Sequence, residues 1–82
     1  SQSEMVCRFR ADGEILFANA AYARTVGSTA DAMVGRNFWD FIPPDQHAHV
    51  RALLARLTPA DPETRIENQF GTGAEARWTL WT

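Results

Sequence analysis

The chain is predicted to be α+β, an antiparallel sheet with helices packed on one face, and three observations predict it. Alternating apolar runs flank the turn dipeptide Asp12-Gly13, an apolar stripe of helical period lies between Pro44 and Leu57, and a second pair of alternating runs closes the 82 residues. With 45% hydrophobic residues, nine of them aromatic (three Trp, one Tyr, five Phe), the chain reads as one domain over residues 1–82. A domain of this size buries roughly 60% of its unfolded surface, enough to fold with little reserve.

Ser1 to Glu4 form a polar lead-in. Met5 to Arg10 then alternate, with Met5, Cys7 and Phe9 on one face and Val6, Arg8 and Arg10 on the other. Gly13 accepts the positive φ of a tight turn, so Ile15 to Ala18 is predicted to return as the partner strand of a hairpin. Asn19 suits an N-cap for a short helix over Ala20–Val26, ended by Gly27. Ser28 or Thr29 caps one more turn, Ala30–Val34, ended by Gly35. Three aromatics and an isoleucine, Phe38, Trp39, Phe41 and Ile42, then form an apolar plug before Pro43-Pro44. Pro44 suits a first helical position and Asp45 the positive end of a helix dipole. Val50, Leu53, Leu54 and Leu57 at i, i+3, i+4 and i+7 predict a helix from Pro44 to Leu57. A loop with two prolines follows, then strands over Thr64–Phe70 and Arg77–Thr82 joined by a turn at Gly71-Thr72-Gly73.

This order, with Asp12-Gly13, Ile15, Asn19-x-Ala21, Gly27, Val34-Gly35-Arg36 and the Asn37-Phe38 plug as its marks, resembles the PAS domains of the sensory-box type, over almost the whole chain. Ala32 stands where many members carry glutamate, which weakens the capping of that turn. The resemblance implies a sensory and interaction domain of a bacterial signalling protein, such as a sensor histidine kinase or a cyclic-di-GMP enzyme, that relays a change to an output domain of the same chain. A ligand-free dimerisation module with a fully packed core is the alternative. Arginine as the only basic residue type, with abundant alanine, fits a GC-rich bacterial genome.

Composition narrows the function further. A net charge of −2 supplies no electrostatic footprint for nucleic acid or for an anionic membrane. No apolar run approaches the roughly 20 residues of a membrane span, so direct membrane insertion is not expected. A single cysteine, Cys7, forms no internal disulfide and suits a reducing cytoplasm, although the parent protein can be membrane-anchored. No paired carboxylates, phosphate-binding glycine loop or nucleophile motif is present, so the domain reads as non-catalytic.

Cofactor candidates are weighed on single positions. His47 and His49, two residues apart on a helix, point to different sides and share no metal. Where some haem-binding PAS members place their ligand, this chain has Val50 or Arg51. Gly35-Arg36-Asn37 resembles the start of the light-oxygen-voltage motif, yet the reactive cysteine is replaced by Phe38, which forms no adduct. No cofactor is expected, a metal site is not expected, and a non-covalent small ligand stays open. Phe38, Trp39, Phe41, Phe70 and Trp78, with Val50, Leu53, Leu54 and Leu80, either line a ligand pocket or fill the core. The need of a small domain for buried area favours filling.

In PAS sheets a fifth strand usually lies between the first strand and the last hairpin strand, and this chain stops at Thr82 before it. The expectation is therefore a split sheet that exposes strand edges and the Met5-Cys7-Phe9 face. Two outcomes are possible: association of two copies, the preferred one, through strand edges or the outer sheet face with Trp81 as anchor, or direct pairing of the first strand with Arg77–Thr82.

Overall fold

The computed structural model describes residues 4–67, 70 and 74–81. Four strands, β1 (Met5–Phe9), β2 (Ile15–Ala18), β3 (Glu63–Glu67) and β4 (Glu75–Leu80), form one sheet in the order β2-β1-β4-β3. Three α-helices, α1 (Ala20–Thr25), α2 (Ala30–Met33) and α3 (His47–Leu54), and two 3-10 turns, Phe38–Phe41 and Pro44–Gln46, lie between β2 and β3. The lead-in at Ser1 to Ser3, the 71–73 turn, Thr82 and the Asn68-Gln69 part of the predicted third strand lie outside the described residues.

The hairpin forms as its turn chemistry requires. Asp12 Oδ1 accepts from the Glu14 amide at 2.9 Å and Gly13 sits at φ +94°. Opposite Phe9 the pairing shifts, leaving Leu16 as the extra residue between Ile15 and Phe17. That bulge lets Ile15 and Ala18, three residues apart, both be buried while Phe17 turns outward.

The predicted gap in the sheet is absent. β4 pairs directly with β1, in parallel, with Met5 opposite Ala76, Cys7 opposite Trp78 and Phe9 opposite Leu80. The sheet is thus mixed rather than antiparallel throughout, and it is completed within one chain. Direct pairing satisfies the inner backbone groups of both strands, which would otherwise present free N–H and C=O groups. It also corrects the placement of Met5, Cys7 and Phe9, expected at an interface: all three are buried in the core, on the face covered by the helices.

The outer edges are guarded differently. Beside β2 the segment 35–38 bonds to the hairpin, through the Gly35 amide to Ile15 O and the Ile15 amide to Arg36 O, both at 2.8 Å, and the Phe38 amide to Gly13 O at 2.9 Å. β3 instead carries exposed Glu63, Arg65 and Glu67 along its outward side. Arg65 pairs with Glu75, Glu63 and Glu4, and Arg77 with Glu4, so the outer face is a charged network over these strands.

Asn19 joins the hairpin to the helices. Its Oδ1 accepts from the Tyr22 amide, capping α1, and from the Val6 amide, each at 3.0 Å, while Nδ2 donates to Glu4 O at 2.8 Å. Asn19→Ala is expected to cost about 2 kcal/mol, more than a simple cap, because a half-buried strand amide loses its acceptor as well. Urea unfolding of the variant against the parent measures it, and a loss under about 0.5 kcal/mol would show that water replaces all three bonds.

The predicted helix over Pro44–Leu57 is divided. Pro44–Gln46 is a 3-10 turn, α3 ends at Leu54, and the Arg56 and Leu57 amides close tighter turns on Leu53 O and Leu54 O at 3.2 and 3.1 Å. Val50 is fully buried, and Leu53, Leu54 and Leu57 pack half-buried against the core.

Candidate functional site

The plug is built on one side chain. Asn37 Oδ1 accepts from the Trp39 amide at 2.9 Å and its Nδ2 donates to Asp12 O at 3.2 Å, which starts the 3-10 turn and ties it to the hairpin. Phe38 is thereby driven into the core, 3% exposed, with its ring 4.9 Å from Phe9 and edge-on to Trp78 at 4.8 Å. Trp39 and Phe41 are only half-buried, so the plug contributes one ring to the deep core rather than three.

Trp39 lies between Phe38, 4.8 Å away, and His47 at 5.1 Å. His47 Nε2 donates to Ile42 O at 2.9 Å, since a carbonyl only accepts, and this holds the start of α3 against the plug. One turn along α3, the Arg51 guanidinium sits over the Trp39 ring, 5.4 Å from its centroid.

Between these pieces lies an open cleft of about 380 Å³. Phe9 and Ala11 come from the end of β1, Leu80 from the end of β4, Phe38 and Trp39 from the plug, and Arg51, Leu54, Ala55 and Leu57 from α3 and the turn after it. Parallel pairing makes the floor, because it sets Phe9 beside Leu80, and the Trp81 amide bonds Phe9 O at 2.8 Å. The walls are apolar and carry one charge, on Arg51. No lining side chain is a nucleophile, an imidazole or a carboxylate.

Of the residues singled out as pocket candidates, Phe38, Trp39, Leu54 and Leu80 meet in this cleft. Phe41 and Phe70 line a second, shallower hollow of about 350 Å³ with Val26, Ile42 and the Pro43-Pro44 pair. Val50 and Trp78 are fully buried core, and Leu53 packs against that core outside both hollows. Sequence reading missed Phe9, Ala11, Arg51, Ala55 and Leu57 as lining residues. Leu57 was visible in the apolar stripe, but a solvated arginine on a helix sends no signal until its neighbour across space is known.

Trp81 is 55% and Phe17 44% exposed, both on the side of the sheet away from the helices, with the Arg8 guanidinium 5.7 Å from the Phe17 centroid. No helix among the described residues is long and apolar enough to cross a membrane, and no group of three metal-ligating side chains occurs among them.

Cys7 is buried opposite Trp78, and burial pushes its thiol from 9.0 up to about 12. Two results follow. In the native domain the thiol should resist alkylation at pH 8 and react once urea unfolds the chain; rapid native labelling would mean that the β1–β4 pairing opens readily. Stability should also fall with pH above about 9, because the unfolded thiol ionises there while the folded one holds its proton. The contribution is intact below pH 9 and declines toward pH 12 by at most about 1.4 kcal/mol per unit, a slope that Cys7→Ala should remove.

A scan against protein-family models matches residues 1–82 to the PAS fold. Comparisons with curated proteins and with solved structures return no match. The mixed sheet covered on one face by short helices, the Asn19 and Asn37 junctions and the family match agree, and the chain belongs to the PAS family of general sensory and signalling domains, which are generally non-catalytic.

Proposed function

We propose that this domain serves a bacterial signal-transduction protein, such as a sensor histidine kinase or a cyclic-di-GMP enzyme, in the cytoplasm, by holding a small molecule in the cleft and passing the change to an output domain of the same chain. The observation that carries the reading is the position of the cleft. A molecule lodged there touches the ends of both central strands, the plug and α3 together, so its binding bears on β1–β4 pairing. Binding is non-covalent and needs no resident cofactor, because the lining offers neither a nucleophile nor an axial ligand. The single buried cysteine suits the reducing compartment.

The three tryptophans make the test direct. Trp39 lines the cleft, Trp78 lies in the core and Trp81 on the outside. A screen of small apolar molecules against the 15N-labelled domain should yield compounds that shift the Trp39 indole and the β4 amides and raise the melting temperature. A collection that leaves Trp39 unmoved counts against the reading.

A ligand-free dimerisation module is the second reading, and exposed Phe17 and Trp81 favour it. The partner is then a second copy on the outer face rather than at a strand edge, since the β2 edge is occupied by 35–38 and the β3 strand carries charges. Sedimentation at micromolar concentration, with Trp81→Ser alongside, distinguishes it: a dimer that the substitution dissociates supports this reading, and a monomer removes it.

A further inference from the structure

We propose that Arg51 makes the cleft selective for amphipathic monocarboxylates, small molecules with an aliphatic or aryl body and one carboxylate head. The inference rests on the reading of the cleft as a ligand site and goes beyond it by naming the ligand's chemistry.

Three observations carry it. First, eight of the nine lining residues are uncharged and seven of those are phenylalanine, leucine or alanine, the eighth being Trp39; Arg51 is the single charge. Such walls accept a hydrocarbon or aryl body, and their volume of about 380 Å³ suits one molecule of modest size.

Second, Arg51 has no carboxylate partner among the described residues. Arg10, Arg36, Arg65 and Arg77 each lie within 4.0 Å of a carboxylate, whereas among the described residues no carboxylate stands that close to Arg51. Its contact is the face of Trp39. A cation–π contact steadies the guanidinium while consuming none of its N–H donors, which leaves the planar fork available to a carboxylate.

Third, the balance of charge selects among anions. One guanidinium with no second cation in the lining matches a monoanion; a phosphate dianion would keep uncompensated charge against apolar walls. An uncharged molecule of the same shape would fill the cleft and leave the fork to water. Arg51 is exposed, so the head group stays partly hydrated and the discrimination is moderate rather than absolute.

The test titrates the 15N-labelled domain with octanoate below its micelle concentration, 4-phenylbutyrate, octan-1-ol and acetate, following the Trp39 indole with Trp81 as an outside control. Octanoate or phenylbutyrate should shift Trp39 and bind about tenfold tighter than octan-1-ol, a difference of about 1.4 kcal/mol, and acetate should not bind. Arg51→Gln should lower octanoate to the level of octan-1-ol, Arg51→Lys should restore part of the difference, and Arg56→Gln, which alters a charge outside the lining, should keep it whole. Equal binding of acid and alcohol to the parent domain overturns the inference and leaves the ligand reading standing. A preference that survives Arg51→Gln also overturns it. Failure of all four probes to move Trp39 counts against the inference and the ligand reading together.

Discussion

Trp78→Ala is expected to remove about 3 to 5 kcal/mol of stability, the range for truncating a buried aromatic. Trp78 is wholly buried at the centre of β4, between Cys7 and Thr64 on the flanking strands, and its ring meets Phe38 at 4.8 Å, Phe9 at 5.7 Å and Tyr22 at 6.2 Å. It therefore touches both hairpin and plug, and the cavity left behind is walled by rings that cannot collapse into it without leaving their own neighbours. Domains are stable by about 5 to 15 kcal/mol and small ones sit low in that range, so the variant should keep only a narrow margin of stability, about 0 to 2 kcal/mol, at room temperature. Trp78→Phe should cost far less. The indole N–H finds no acceptor among the described residues, and phenylalanine keeps most of the ring while removing that orphan donor. Urea unfolding read by circular dichroism compares the two; an alanine variant that melts with the parent would mean that β4 is not core. Trp39→Ala, at a half-buried ring, should lose less than Trp78→Ala, which separates the cleft wall from the interior.

Gly13→Ala is expected to cost about 2 to 4 kcal/mol, from two sources that act together. At φ +94° any L side chain is strained, by about 1 to 2 kcal/mol. A Cβ there would also stand 2.8 Å from Asn37 Nδ2 and 2.9 Å from Phe38 Cε1, and both of those atoms are held, the amide by Asp12 O and the ring by the core. Gly27→Ala supplies the comparison. Its φ of +74° is also positive, but among the described residues no atom beyond its chain neighbours lies within 4 Å of the added methyl, so only the conformational part should appear. Equal losses at the two glycines would show that the hairpin and plug are not in contact, and the cleft would then lack its wall at Phe38.

The sequence by itself determined what depends on near neighbours. Asp12-Gly13 makes the hairpin turn, Asn19 and Thr29 cap α1 and α2, and Gly27 and Gly35 take the positive φ that ends those turns, each as its local chemistry requires. The stripe from Val50 to Leu57 likewise announced which side of α3 faces the sheet. Tertiary structure decided the rest. Nothing within six residues of Met5 or Trp78 states that β1 and β4 run side by side; that pairing follows from the backbone groups both strands must satisfy and from the area that Met5, Cys7 and Trp78 bury together. The helix ends at Leu54, short of its apolar pattern, because the chain tightens after it and turns toward β3. Among the plug aromatics, composition cannot rank Phe38 above Trp39, whereas the Asn37 cap and the close approach of Gly13 orient the first inward and leave the second at the surface. Arg51 came to the cleft for the same reason: a charged residue gains its role from what stands across from it, and only folding brings Trp39 there.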